Sequence, residues 1–445
     1  MDELEVLLKA LESNNVFLTG GAGVGKSYLT KQIIREYLAK GKSVAALGST
    51  GIAAVNLGGY TIHSFMLFGI SSDFEELKRY DKKRRKRLKE LYKILKKLDL
   101  LIIDEISMVS STLLDMILYR LREAKFKGRI LIVGDFFQLP PVMSKSKKGI
   151  FDSFTYAFES SAWADINPKI VELTVPKRAK DFEFVKILKK IRIGECDRDV
   201  TEFLKKRLIK EEGSDKEATV LFGTNTEANL YNDKNIKKIK KPLCVKTAQV
   251  EIYDDSLDEK RVFNWIRNLP IEYELKVKEG ARILFTSNKR DDFYNGERGK
   301  ILEIGEDFIV VEKENGFIVK VEKNEYKYSV ISFDEKNDEI REDILAVLKQ
   351  YPIKSAYGIT IHKSQGMGIE NLICNVDNIF EKSQFYVALS RATNPNKLKI
   401  VYKKDNFENY IKRVIKVNES VKKFYQQSKI LKLSNFPIKS LFEGF

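Results

Sequence analysis

At 445 residues the chain is longer than one hydrophobic core usually serves, and its 43% apolar content can build two or more domains. No apolar run approaches bilayer length, and the acidic start (Asp2, Glu3, Glu5) has neither the charge nor the apolar core of a signal peptide, so a soluble intracellular protein is expected. A formal charge of +16 calls for a polyanionic partner, while three widely spaced cysteines (Cys196, Cys244, Cys374) without zinc-site spacing are expected to be reduced and structural.

The first element is a short buried-strand run, Val16 to Thr19. It enters Gly20, Gly21, Ala22, Gly23, Val24, Gly25, Lys26, Ser27, a full G-x-x-x-x-G-K-S phosphate loop. Beyond it, Tyr28 to Leu38 repeats apolar residues at helical spacing (Leu29, Ile33, Ile34, Leu38), so the loop opens a helix. The chemistry needs that context. Glycines let backbone N–H groups approach phosphates, the helix N-terminus adds partial positive charge, Lys26 reaches the outer phosphates and Ser27 can ligate Mg²⁺. A nucleoside triphosphate is the expected ligand.

A second strand is expected at Ser43 to Leu47, followed by Ser49, Thr50, Gly51, Ile52, Ala53, Ala54 and then by Thr61, Ile62, His63, Ser64. Small hydroxyls and exposed backbone at strand ends suit sugar-phosphate contacts without base readout. From Lys78 to Lys97 there are twelve Lys or Arg against two acids (Asp81, Glu90), a net of +10. Lys82 to Arg87 is wholly basic, and Leu88, Leu91, Tyr92, Leu95 and Leu98 follow at helical spacing, so a basic-faced helix is expected. Its charge serves either a phosphate backbone or only solvation, or in a eukaryote nuclear import.

Leu100 to Ile103 is an apolar strand ending in Asp104 and Glu105. After a phosphate loop, Asp104 can hold the Mg²⁺ shell opposite Ser27, and Glu105 can orient and deprotonate an attacking water; alone, the pair could simply cap a helix. Arg129 to Val133 is a further strand, leading into Gly134 to Pro141 with Gln138 placed to sense a γ-phosphate, and Pro140 and Pro141 stiffening the exit. Alternation of strand and helix to about Val142 argues a parallel α/β sheet, with polar motifs beyond the carboxyl ends of the strands.

A second α/β pattern starts at Lys169 to Leu173 and continues with a helix over Phe182 to Ile193 and a strand over Thr219 to Phe222. Alternating β-rich sequence, such as Phe308 to Glu312 and Phe317 to Val321, interrupts it from about 241 to 350. It resumes with strands at Ile359 to Ile361 and Leu398 to Tyr402. The second histidine-bearing segment lies here: Thr360, Ile361, His362, Lys363, Ser364, Gln365, Gly366 repeats the earlier Thr-Ile-His order. Tyr386 to Ala392 places Arg391 on an otherwise apolar helix, and Arg178 follows the strand-like Val171 to Val175. An Arg reaching across a cleft stabilises charge on a transferring phosphoryl group, although either could be an ordinary ion-pair residue. The residues alone leave several classes open: a nucleic-acid motor, a binding scaffold with an idle ATP site, a phosphate-loop kinase or small-molecule ATPase, and a translocase that does not separate strands.

Assembled in order, these blocks resemble the Pif-type (petite integration frequency) DNA helicases of the RecD-like B branch of helicase superfamily one. The resemblance covers nearly the whole chain: the phosphate loop, Ser49 to Ser64 with Gly58 and Gly59, Asp104 to Met108, Gly134 to Pro141, Ala157 to Trp163, Leu173 to Phe184, the turn Asn295 to Gly299, Thr360 to Gly366 and Tyr386 to Arg391. It implies an α/β fold of two RecA-like parallel-sheet lobes. The first would span 1–165 with a basic wedge insert at about 65–98, and the second 166–405 with an SH3-like β-rich insert at about 241–350, ahead of a helical tail over 406–445.

It further implies ATP- and Mg²⁺-dependent 5′-to-3′ translocation on single-stranded DNA. Unwinding of duplexes, forks, RNA–DNA hybrids and G-quadruplexes is implied with it, in repair, recombination and telomere maintenance. By the same resemblance Arg178 and Arg391 are arginine fingers, Gly366 and Gln138 meet nucleotide, and Thr50, Gly51, Thr61, His63, Ser64, Thr360, His362, Lys363 and Ser364 meet DNA. A monomer in the absence of DNA is expected, in the nucleoid of a prokaryote or the nucleus or mitochondrion of a eukaryote. Three positions depart from the family pattern: Met1 to Val16 holds no adenine-reading Gln, Ala179 rather than Gln follows Arg178, and Gly368 stands where Thr is common.

Overall fold

Short apolar runs flanked by longer amphipathic stretches leave few ways to bury both faces of a strand, and parallel sheets covered by helices are the favoured solution. The computed structural model describes residues 2–69, 71, 73–141, 155–177, 181–215, 217–254, 257–289, 292–334, 337, 339–379 and 381–433. Two units are distinguished: Met1–Arg178 with Ile331–Arg341 and Asn418–Phe445, and Ala179–Val330 with Glu342–Val417.

The first unit begins with α1 (Glu3–Ser13), whose N-cap Asp2 and N3 residue Glu5 form a capping box, then β1 (Val16–Gly20) and α2 (Lys26–Ala39). It continues through β2 (Val44–Gly48), α3 (Gly51–Leu57), β3 (Tyr60–Thr61), α4 (Ile62–Phe65), α5 (Phe74–Lys82) and α6 (Arg85–Lys97). Next come β4 (Leu100–Asp104), α7 (Ser111–Glu123), β5 (Arg129–Val133), α8 (Ser161–Ile166) and β6 (Lys169–Leu173). β1 shows why its sequence is apolar throughout. Val16 and Leu18 join Leu7, Leu11, Leu29 and Ile33 in one core layer, while Phe17 packs at 5.3 Å against both Phe136 and Trp163.

The second unit opens with α9 (Phe182–Arg192), α10 (Arg198–Lys205), β7 (Leu208–Ile209), β8 (Thr219–Phe222) and α11 (Asn225–Lys237). The β-rich insert follows: β9 (Cys244–Thr247), β10 (Gln249–Ile252), α12 (Glu259–Asn268), β11 (Glu274–Val277), β12 (Arg282–Phe285), β13 (Arg298–Ile304), β14 (Ile309–Lys313), β15 (Ile318–Val321), β16 (Asn324–Asp334), β17 (Glu339–Gln350) and β18 (Ile353–Ser355), with the Ile331–Arg341 stretch of β16 and β17 counted in the first unit. The α/β layer then resumes with β19 (Gly358–Thr360), β20 (Leu372–Asn375), α13 (Gln384–Leu389), β21 (Leu398–Val401) and α14 (Phe407–Val414). Its sheet has the order β19-β8-β20-β21-β7, parallel throughout. The insert carries a separate antiparallel sheet, β15-β14-β13-β12-β18, with its own core of Leu275, Ile283, Phe285, Ile301, Ile309 and Tyr351. Two features of the insert differ from the sequence reading. It contains a helix, α12, whose Trp265 stacks on Tyr328 at 5.3 Å, and it extends past residue 350 because β18 pairs with β12.

The chain finally returns to the first unit through α15 (Glu419–Gln427) and β22 (Ile430–Leu433). The first sheet therefore has seven parallel strands in the order β22-β6-β1-β5-β4-β2-β3. This corrects the expected domain boundaries. Lys169–Leu173 does not start the second lobe; it lies beside β1 in register from Val16↔Lys169 to Gly20↔Leu173, and β22 in turn pairs with it. Nor are residues 406–445 one helical tail, since α14 belongs to the second unit and α15 to the first.

The basic segment forms two helices rather than one. Lys83 and Arg84 make the turn between α5 and α6, and α6 buries Leu88, Leu91, Ile94 and Leu95 while Lys86, Lys89, Lys93, Lys96 and Lys97 stay exposed. A buried ion pair fastens this insert to α7. Arg120, fully buried, donates to Asp81 through both terminal nitrogens at 2.7 and 2.6 Å and through Nε to the Met66 carbonyl at 3.2 Å. Truncating one partner strands the other charge, so Asp81→Ala is expected to cost ~3–5 kcal/mol of stability. Pairing it with Arg120→Met should return part of that. Chemical denaturation checks this, and an Asp81→Ala midpoint equal to wild type would show that the pair holds nothing in place.

Candidate functional site

β1 delivers the phosphate loop at its carboxyl end, two strands from β4 across β5. Gly20 has φ +142°, and a Cβ there would lie 2.4 Å from the Leu173 carbonyl oxygen, so the approach of β6 itself requires glycine. Gly25, at φ +95°, starts α2 in the left-handed region. Lys26 Nζ donates to the Gly20 and Gly21 carbonyls at 2.7 and 2.9 Å, and Ser27 is exposed on the first turn. The segment after β6 returns to this loop: Lys177 N–H donates to the Gly23 carbonyl at 2.8 Å and its side chain pairs with Glu3 at 3.4 Å. Arg178, the next residue, lies outside the described residues, as does Ala179.

Asp104 ends β4, buried, accepting from the Glu105 N–H at 2.9 Å. Burial and the neighbouring Glu105 charge push its pKa up to about 7, against the pull of Glu105's N–H and of Lys26. Glu105 takes φ +53°, ψ +50°, a left-handed conformation that costs a non-glycine residue about 1 kcal/mol and is most often kept at functional sites. Its loop packs against the next one, since Gly134 (φ +150°) brings its own Cβ position within 2.9 Å of Ile106 N. In that loop Asp135 is buried, accepts from Phe137 N–H at 3.2 Å, and through its carbonyl takes the Gln138 N–H at 2.8 Å; Gln138 is buried too. Lys26, Asp104, Glu105 and the Gln138 loop are thus gathered at the carboxyl ends of three adjacent strands.

The donor set suits Mg²⁺. A buried carboxylate whose pKa is raised by desolvation gains from a divalent cation, and Ser27 offers a hard oxygen without internal obligation among the described contacts. Among the described residues no group of three or more His, Cys, Asp or Glu could form an all-protein metal cage. Such a site would take its remaining oxygens from phosphate and water.

The expected DNA contacts fall in two places. In the first unit Gly48 pairs with Thr61, which sets Ser49 to Gly51 beside Thr61 to Ser64 at the edge of the sheet. Thr50 Oγ1 accepts from Ala53 N–H at 3.2 Å, and Thr61 caps α4 while sharing a 2.8 Å hydrogen bond with Ser64 Oγ. His63 and Ser64 are exposed, and the His63 ring meets Phe68 edge-on at 6.1 Å. In the second unit the arrangement differs from the sequence reading. Thr360 and Ser364 are buried, with hydroxyls that close the 3-10 turn His362–Ser364: Thr360 Oγ1 accepts from Lys363 N–H at 3.3 Å, and Ser364 Oγ donates to the Ile361 carbonyl at 2.7 Å. A single-turn helix has most of its polar groups unpaired, which is why these hydroxyls turn inward. Lys363 is the exposed member and His362 is half-buried, its pKa lowered by that burial.

Arg391 does not sit on a helix. α13 ends at Leu389, and Arg391, 2% exposed, donates to the Val387 carbonyl at 3.0 Å, the Ser364 carbonyl at 3.3 Å and Ser390 Oγ at 2.9 Å. It thereby fastens the 362–366 turn to α13. Gly366, at φ +78°, is exposed with open space beside it. The sequence reading missed two residues at the nucleotide end, Lys177 on the phosphate loop and Tyr425 on the Gln138 loop. Lys177 lies within the Leu173 to Phe184 block but carries no residue-level signal there, and nothing in linear spacing links Tyr425 to Thr19, whose Oγ1 its hydroxyl meets at 2.8 Å.

Comparison with known proteins agrees along the chain. A family model for PIF1-like helicases matches residues 4–202, and a second helicase model matches 281–418. The chain is 43% identical over 443 residues to the ATP-dependent DNA helicase Pif1 of Campylobacter jejuni, covering 97% of this chain and 98% of that protein. Bacteroides sp Pif1 in complex with ADP-AlF4 superposes with a TM-score of 0.80 at 27% identity, over 96% of each chain. Bacteroides Pif1 bound to ssDNA gives a TM-score of 0.65 at 27% identity, also over 96% of each. No described helix is long and apolar enough to cross a membrane. With the phosphate loop, the acid pair and the parallel sheets in place, this similarity settles the matter: the chain belongs to the PIF1-like family of ATP-dependent DNA helicases.

Proposed function

We propose that this helicase moves 5′ to 3′ along single-stranded DNA and opens the duplex ahead of it, with forks, RNA–DNA hybrids and G-quadruplexes among its substrates. The observation that carries the catalytic half is the buried Asp104, whose pKa is raised by its burial and by the Glu105 charge and drawn down by Lys26. Lys26 and the loop amides hold the phosphates, and Ser27 and Asp104 would hold Mg²⁺, which would supply charge neutralisation to the outer phosphates. Glu105 orients the attacking water and accepts its proton. Gln138 reads the γ-phosphate, and Arg178 and Arg391 donate to it as charge develops.

On DNA, Thr50, Gly51, Thr61, His63, Ser64, His362 and Lys363 contact the sugar-phosphate backbone, with Thr360 and Ser364 shaping the turn that presents the last two. Exposed basic residues of α5 and α6 meet the duplex where strands part. Such contacts make binding fall steeply with salt. The enzyme acts as a monomer before it meets DNA and works where the genome is maintained.

Strand separation on a duplex tailed at either its 5′ or its 3′ end tests the proposal. Unwinding only with the 5′ tail is expected. Unwinding from the 3′ tail would reverse the polarity, and stimulated hydrolysis without unwinding would leave a translocase.

A further inference from the structure

The β1–β5 ladder stops at Leu18↔Val133, with one further bond from Gly134 N–H to the Leu18 carbonyl. Beyond it, among the described residues, no backbone ladder ties the phosphate loop to the Gln138 loop. A side chain from the far end of the sequence spans that gap. Tyr425 on α15 places its hydroxyl 2.8 Å from Thr19 Oγ1 and accepts from the Phe136 N–H at 3.3 Å. Thr19 immediately precedes Gly20, and Phe136 stands two residues before Gln138; both are buried. The tyrosine ring stacks on Phe137 at 4.7 Å with planes 15° apart. Its neighbour Phe424 packs among Phe136, Phe158 and Trp163 at 5.5, 4.5 and 5.6 Å, so the helix has little freedom to slide.

We infer that Tyr425 is a positioning residue for ATP hydrolysis: its hydroxyl holds the Gln138 loop in register with the phosphate loop. A phenol can do this because it both donates and accepts, and a buried N–H at Phe136 would otherwise lack this partner. The inference rests on Gln138 being the γ-phosphate sensor.

Tyr425→Phe deletes one oxygen and keeps the ring stack. The expected result is a roughly fivefold to tenfold loss of DNA-stimulated kcat, the worth of one hydrogen bond, with KM for ATP unchanged. Thr19→Val removes the other side of the bond and should reproduce the loss. In a Gln138→Ala background, Tyr425→Phe should have no additional effect on kcat. Additive losses in the double variant would overturn the inference, as would wild-type kcat in both Tyr425→Phe and Thr19→Val. A kcat loss that vanishes when assayed well below the melting range would reduce Tyr425 to fold support and also overturn it. If Gln138→Ala alone leaves stimulated kcat intact, the sensor reading itself fails, which is a different outcome from a silent Tyr425→Phe beside an impaired Gln138→Ala.

Discussion

Replacing Glu105 by Gln is expected to leave ATP and DNA binding in place while lowering DNA-stimulated turnover by about 10²- to 10⁴-fold, the range for removing a general base. The substitution keeps size and hydrogen-bonding reach, so the left-handed backbone at this position is not disturbed. It also removes the like charge that helps to raise the Asp104 pKa. Asp104 then ionises more readily, and nucleotide with Mg²⁺ should bind as tightly as in wild type or more so. That combination separates a base from a metal ligand, because loss of a ligand weakens binding and turnover together. The same charge logic gives a sign for stability. A carboxyl whose folded pKa lies near 7 rather than 3.8 binds more protons in the native than in the unfolded state between those values. Its burial therefore costs stability increasingly as pH rises through that window, and Glu105→Gln relieves part of the cost above it. Single-turnover hydrolysis with equilibrium nucleotide binding checks the prediction; full turnover by Glu105→Gln would falsify the assignment of the base.

Arg391→Ala should remove DNA-stimulated hydrolysis, by about 10³-fold or more if the guanidinium meets the transferring phosphoryl group. Nucleotide binding should persist, because the phosphate loop belongs to the other unit. The buried donor network complicates the variant. With the guanidinium gone, the Ser364 and Val387 carbonyls each lose one donor and keep another, Met367 N–H and Ser390 Oγ respectively, so the cost is about 0.5–1.5 kcal/mol per lost bond. Arg391→Lys separates the effects, since it keeps a charge in place without the planar fork. Loss of stimulated turnover in both variants, with the melting transition of Arg391→Lys close to wild type, supports a role at the phosphoryl group. Stimulated turnover retained by Arg391→Ala would exclude that role, and recovery of both stability and turnover in Arg391→Lys would make Arg391 a structural fastener of the 362–366 turn.

Why some elements were legible and others were not follows from how far each signal reaches. The phosphate loop, the strand that ends in Asp104 and Glu105, and the strand before Gly134 are local: a few residues of fixed chemistry between an apolar strand and a helix, and they form where the pattern places them. The basic segment was legible as a helical pattern, but its break was not, since nothing in six consecutive basic residues marks Lys83 and Arg84 as the turn. Lys169–Leu173 was legible as a strand and assigned to the wrong lobe. Three apolar residues among five (Ile170, Val171, Leu173) specify a strand and carry no address for its partner.

Composition, spacing and local pattern determined that this chain binds a nucleoside triphosphate, builds parallel α/β layers around a β-rich insert and carries most of its net charge in one segment. These are properties of neighbours along the chain. Tertiary structure alone decided that β6 and β22 complete the first sheet, that Thr360 and Ser364 turn inward while Lys363 faces out, and that Asp104 is desolvated beside Lys26 and Glu105. It also decided that Tyr425 reaches across to Thr19 and Phe136. Each depends on burial or on pairing between residues far apart in sequence, and burial is a property of everything packed around a residue rather than of the residue itself.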